Sequence, residues 1–150
     1  GGKYVSKGAS LKLEADLELM YFTSLTLEGD VDAAGHSVTV GAYGTLAIKG
    51  RLLNVSTLTV GTFGLLDVAM GLDVHGPTTI GGGGYDRSPF HPCGADSPYG
   101  SYGSLITIGG DFSTGSLDKA DGGGAFTRVA VGGSLAVDTN VSLTNIELTV

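Results

Sequence analysis

The chain has no tryptophan, one cysteine and four prolines among its 150 residues. The single cysteine, Cys93, excludes an internal disulfide framework and any zinc site built on paired thiolates. It leaves a free thiol, or one that bridges to another chain. Lys and Arg total eight and stand singly along the sequence, so there is no basic stripe for nucleic acid. No run of 18 apolar residues occurs, and no membrane insertion is expected. Only 15% of residues are charged against 41% hydrophobic, which is too little charge for a disordered chain. The net charge of −7 favours solubility and names no partner. The chain opens on Gly1-Gly2-Lys3 with neither Met nor a signal peptide, as expected of a processed protein or a segment of something longer.

What is present is glycine, 27 residues without a collagen period, and alternation. Ser24-Leu-Thr-Leu-Glu-Gly-Asp-Val31 is answered by Thr45-Leu-Ala-Ile-Lys-Gly-Arg-Leu52. Leu25 falls over Leu46, Leu27 over Ile48, Gly29 over Gly50 and Val31 over Leu52. Farther on, Val38 falls over Leu58, Val40 over Val60 and Tyr43 over Phe63. Self-similarity at a fixed spacing near 20 residues marks a repeat architecture, and apolar alternation within each unit marks strands. The same phrase begins at Leu11, Leu66, Ile106 and Leu135.

These patterns predict an all-β parallel β-helix, a solenoid with coils of about 20 residues. Leu11, Leu25, Leu46, Leu66, Ile106 and Leu135 are expected to form one aliphatic row, each worth roughly 1.5–3 kcal/mol on burial. The spacing from Leu11 to Leu25 predicts an abbreviated first coil. Phe22, Tyr43 and Phe63 are expected to stack, as core or corner packing rather than as a sugar-binding strip. Glu28 falls beside Lys49 and Asp30 beside Arg51, exposed pairs worth about 0–1 kcal/mol each. An antiparallel β-sandwich explains the alternation but not the register of Leu25, Leu46 and Leu66.

The whole chain, 1–150, reads as one β-helix domain or a segment of a longer one. Residues 81–103, GGGGYDRSPFHPCGADSPYGSYG, lack alternation and read as a loop ejected from a coil corner. Residues 116–124 form a second, smaller insertion. Long loops of this kind are commonly functional. Tyr85, Phe90, Cys93, Tyr99 and Tyr102 in the first are expected to contact another chain or domain. The chain ends in apolar alternation on Asn145-Ile-Glu-Leu-Thr-Val150. An uncapped coil is expected to dock onto further coils, through self-association or neighbouring subunits of an assembly.

Particular residues invite specific chemistries. Asp16 and Asp30, placed one coil apart in an outward row, have the spacing of a retaining glycosidase pair, but Lys49 and Arg51 beside them would hold a general acid ionised. His36, His75 and His91 share no short spacing and read as surface histidines rather than metal ligands. Gly81–Gly84 lack the Lys-Ser/Thr and the helix of a phosphate loop. Neither an enzyme, nor a cofactor, nor a metal is expected. Asn54-Val-Ser56 and Asn140-Val-Ser142 match the N-glycosylation acceptor, so Asn54 and Asn140 are candidate glycan sites in a secreted eukaryotic protein.

The four glycines at 81–84, Tyr99-Gly-Ser-Tyr-Gly-Ser104 and the stretch GGGAFTRVAVGGSLAV at 122–137 resemble large secreted β-solenoid proteins whose coils are interrupted by glycine-rich loops. The resemblance spans roughly residues 24–141 and is compositional. It implies an elongated extracellular or cell-surface protein with structural or adhesive work, such as surface fibres and flagellar hairs, and it brings no catalytic residues. The expected function is therefore a non-catalytic structural module of an extracellular fibre or appendage. An adhesin-type module that binds glycans is the alternative, ahead of a polysaccharide-processing enzyme.

Overall fold

A strand of three to five residues, a corner, and another strand is the unit that short alternating phrases separated by small residues can build. In the computed structural model these units wind into a parallel β-solenoid of about four turns, with coils of about 21 residues. The structure describes residues 3–6, 10–68, 70–81, 90–92, 104–114, 117–118, 127–137, 141–142 and 146–150.

Most coils contribute one strand to each of three parallel sheets. The first sheet stacks Lys3–Ser6, Ser24–Leu27, Thr45–Ile48, Leu65–Val68 and Phe90–Pro92. The second runs from Leu11–Lys12 through Val31–Asp32, Arg51–Val55, Gly71–Val74, Ser104–Ile108 and Thr127–Val131 to Ile146–Thr149. The third takes Leu17–Leu19, Val38–Val40, Leu58–Val60, Thr78–Ile80, Phe112–Thr114 and Leu135–Val137. Leu117–Asp118 and Val141–Ser142 make a further short parallel pair.

The inward rows meet along one axis. Leu46 and Leu66 from the first sheet, Val31, Leu52, Leu72 and Ile106 from the second, and Val38, Leu58 and Phe112 from the third are all buried. Leu25 packs against this core and is partly buried. The register Leu25–Leu46–Leu66 holds as expected from the sequence. The long single row does not. Leu11 pairs with Val31 in the second sheet, Ile106 with Leu72 in that same sheet, and Leu135 with Phe112 in the third. One phrase serves all three sheets, because each needs the same inward-outward alternation. For the same reason the first coil is not abbreviated: Lys3–Ser6 supplies its first strand, with Tyr4 opposite Leu25.

The stretch 81–103 is not wholly a loop. Phe90–Pro92 extends the first sheet against Leu66–Val68. Tyr85, Cys93, Tyr99 and Tyr102 lie outside the described residues, as does Asn140. Of the smaller insertion, Leu117–Asp118 is strand and the rest lies outside them.

Two threonines, Thr78 and Thr114, interrupt the buried apolar rows among the described residues. Thr78 occupies the row of Val38, Leu58 and Phe112, is buried, and its hydroxyl has no hydrogen-bond partner among the described residues. Stripping a hydroxyl of water without replacing the bond costs about 1–3 kcal/mol. Thr78→Val keeps the shape and removes the hydroxyl. It is expected to raise stability by about 1 kcal/mol, read as a higher urea midpoint at constant slope. An unchanged or lowered midpoint would mean that the hydroxyl has found a partner.

Candidate functional site

The corner between the third and first sheets repeats a four-residue turn. Thr23 N–H donates to Met20 O at 3.2 Å, Gly44 to Gly41 at 2.9 Å and Gly64 to Gly61 at 2.8 Å. In each turn the third residue has positive φ: Phe22 at 59°, Tyr43 at 58° and Phe63 at 58°. This is the pattern of a type II turn, which ordinarily places glycine or asparagine there. A bulky side chain in the left-handed region costs about 1–2 kcal/mol, and three in succession, one per coil, point to a compensating gain.

The gain is the stack. Phe22 and Tyr43 lie with ring centroids 5.0 Å apart and planes 8° from parallel, and Tyr43 and Phe63 lie at 5.1 Å and 20°. Each such pair adds about 0.5–1.5 kcal/mol beyond its buried area, which offsets the turn strain. The expected stack forms, at a corner, but it is not core: the three residues are 61, 52 and 38% exposed. Face-to-face packing turns the ring faces between Phe22, Tyr43 and Phe63 toward one another. The row makes an apolar ridge along the corner.

Strain and stacking separate in a substitution series at Tyr43. Tyr43→Ala loses two ring contacts and keeps the strained backbone, so it is expected to cost about 1–3 kcal/mol. Tyr43→Gly loses the same contacts but relaxes the turn, and is expected to be about 1 kcal/mol more stable than Tyr43→Ala. Equal midpoints for the two variants in chemical denaturation would show that the left-handed corner stores no strain.

The backbone comes unusually close beside this ridge. A Cβ on Gly41 would lie 2.6 Å from Tyr21 N, one on Gly61 2.7 Å from Ala42 N, and one on Gly81 2.7 Å from Thr62 N. The first coil has Met20 at the corresponding position, and its side chain is largely exposed. Next to it stands Tyr21, 63% exposed. Its ring lies 5.7 Å from Phe22 with the planes at 79°, across the direction of the stacked row. Glu18 and Thr39 are register partners in the third sheet, on its outward face. Together with Gly41 and Tyr43, these residues line a concavity of about 430 Å³. The stacking of Phe22 and Tyr43 was legible in the sequence; the parts played by Glu18, Tyr21 and Thr39 were missed. The signal was the departure of Met20-Tyr21-Phe22 from Gly41-Ala42-Tyr43 and Gly61-Thr62-Phe63.

Asp16 and Asp30, whose sequence spacing suits a glycosidase pair, are not stacked on one another. Asp16 precedes a strand of the third sheet, and its Oδ1 accepts from Ser37 N–H at 2.9 Å. Asp30 precedes a strand of the second sheet, and its Oδ1 accepts from Arg51 N–H at 2.8 Å. The two belong to different corners, because each corner repeats only from coil to coil. Asp111 repeats the device, its Oδ1 accepting from Ser134 N–H at 2.9 Å. Each carboxylate ties its own coil to the backbone of the next. Arg51 also donates through its guanidinium to Asp30 at 2.7 Å. The expected Glu28–Lys49 ion pair is not found among the described residues.

These bonds shift the acids. The backbone N–H of Ser37 holds the Asp16 carboxyl below the usual range. The Arg51 side chain does so for Asp30. The Asn54 amide does so for Asp32. A carboxylate with a depressed folded pKa contributes stability that is full above its unfolded value, about 3.9. That contribution is lost as the pH falls through the lower folded values. Stability is therefore expected to be level from neutral pH to about pH 5 and to fall steadily below it. Asp16→Asn and Asp30→Asn should each flatten part of that fall. A wild-type urea midpoint that stays constant down to acid pH would refute this role.

Asn54 sits in a bulge of the second sheet with φ of 58°. Its Nδ2 donates to Asp32 Oδ1 at 3.0 Å, and the residue is half-buried. His36 lies 3.4 Å from Asp16, and His75 3.2 Å from Asp73; both histidines follow a strand of the second sheet, two coils apart. No group of three or more His, Cys, Asp or Glu side chains that could hold a metal is found among the described residues. Phe90 belongs to a strand, and its side chain is outside the described set. No family model matches the chain, and no curated protein or solved structure matches it.

Proposed function

We propose that this chain is a non-catalytic structural module of an extracellular or cell-surface assembly, a stiff rod of stacked coils. The observation that supports this reading is the repeated corner bond from Asp16, Asp30 and Asp111 to the next coil. Acids of this kind hold neighbouring coils in register; a hydrolase or lyase would need them opposed across a groove. Three sheets around one continuous aliphatic core resist bending in every direction, which suits a load-bearing element. Placement outside the cell rests on the likeness in composition to secreted solenoids with glycine-rich loops. The partners under this reading are further copies or neighbouring subunits of the assembly.

The test is immunogold labelling of intact source cells with antibodies raised against the folded chain. Label on surface filaments, walls or appendages is the expected result. Label confined to the cytoplasm would overturn the reading. A binding module is the second reading, favoured by the concavity beside Tyr21.

A further inference from the structure

The concavity at the corner of the first two coils has two chemically different walls. One is the ring of Tyr21, which stands across the stacked row instead of joining it. Its side chain is 63% exposed and is not stacked face to face as Phe22, Tyr43 and Phe63 are. The other wall is Glu18 and Thr39, side by side on the outward face of the third sheet. The floor at Gly41 has no side chain, and the volume of about 430 Å³ is within the range of ligand sites.

We propose that this concavity binds a neutral hexopyranose unit of a polysaccharide. A pyranose ring has an apolar C–H face and a rim of hydroxyls. The C–H face covers the exposed ring of Tyr21. The hydroxyl rim donates to the Glu18 carboxylate, an acceptor with two oxygens, and exchanges hydrogen bonds with the Thr39 hydroxyl. Other ligand classes meet an obstacle here. A wholly apolar ligand would strip water from Glu18 without replacing its hydrogen bonds. A nucleic acid base could stack on Tyr21, but its phosphates would meet Glu18 on a chain of net charge −7. An acidic glycan meets the same repulsion. The site is open and shallow, so a single unit binds weakly, and a polymer gains by presenting many units to it.

Affinity gel electrophoresis of the full chain tests this with four soluble polysaccharides: mixed-linkage β-glucan, xyloglucan, galactomannan and, as the anionic control, polygalacturonate. At least one neutral polymer is expected to retard migration, and polygalacturonate is expected not to. Tyr21→Ala should weaken the retarding interaction about tenfold, equivalent to about 1.4 kcal/mol. Glu18→Gln should weaken it severalfold. Both residues are exposed, and matching thermal melts will show that the variants fold. Thr59→Ala, on the same sheet face one coil away from Thr39, should bind as the wild type does. Retardation by none of the neutral polymers would overturn the proposal. So would retardation that survives Tyr21→Ala and Glu18→Gln, or equal retardation by polygalacturonate. Surface labelling with a negative outcome would leave this inference standing, because binding is measured on the isolated chain.

Discussion

Leu52→Ala is expected to cost about 2–5 kcal/mol. Leu52 is completely buried in the second sheet, with Val31 in the coil on one side and Leu72 in the coil on the other. Truncation removes three carbons of buried hydrocarbon. Stacked backbones tied by parallel ladders cannot easily collapse into the space left. The architecture adds a second consequence. In a solenoid each repeat contacts only its neighbours, so stability is a sum along one axis. A weak central coil then separates the array into two parts that need not melt together. Urea unfolding of Leu52→Ala should show a lower midpoint and a shallower transition than the wild type. Leu25→Ala, at a partly buried position of the first sheet, should cost clearly less. Equal losses for the two would show that burial depth along the stack does not govern stability.

The strands were readable because alternation has only one physical meaning at a spacing of two. Leu25, Leu46 and Leu66 could be aligned because the phrases around them share one apolar alternation, and the first two also share Gly29 and Gly50. Leu11, Ile106 and Leu135 were drawn into the wrong row because all three sheets face one core and use one phrase. The phrase marks an inward strand; it does not say which sheet the strand joins. Only corner lengths carry that information, and two insertions disturb them. The misplaced acids follow from the same ambiguity: Asp16 and Asp30 each precede a strand, but strands of different sheets. Their true role depends on register, since each accepts from the backbone about one coil ahead. The aromatic row was visible from spacing alone. Its exposure was not, because large rings at positive φ contradict what backbone preference predicts, and only the stack reconciles them. Tyr21 stands outside the repeat, and departures from a repeat are where a solenoid can carry a distinct surface.

Gly61→Ala is expected to destabilise the chain by about 3 kcal/mol, at the upper end of overpacking costs. Gly61 has no positive φ, so alanine is conformationally acceptable there. On that ground alone alanine would stabilise, by about 0.4–1 kcal/mol, through a less flexible unfolded chain. Space reverses the sign. The added Cβ would lie 2.7 Å from Ala42 N and 3.1 Å from Ala42 Cα, both in the backbone of the preceding coil. Backbone held in a ladder cannot swing aside as a side chain can. The coils must part locally, which strains the Gly61 N–H to Val40 O bond, 2.8 Å in the native corner. It also disturbs the stack of Tyr43 on Phe63 beside it. Gly35 supplies the opposite case: its φ is +83°, and nothing lies within 4 Å of an added Cβ. Gly35→Ala should therefore cost only the left-handed backbone penalty, about 1–2 kcal/mol. The two variants differ by one methyl each, so their melts compare space against conformation directly. A larger loss at Gly35 than at Gly61 would mean that conformation, and not the closeness of neighbouring coils, decides where this solenoid requires glycine.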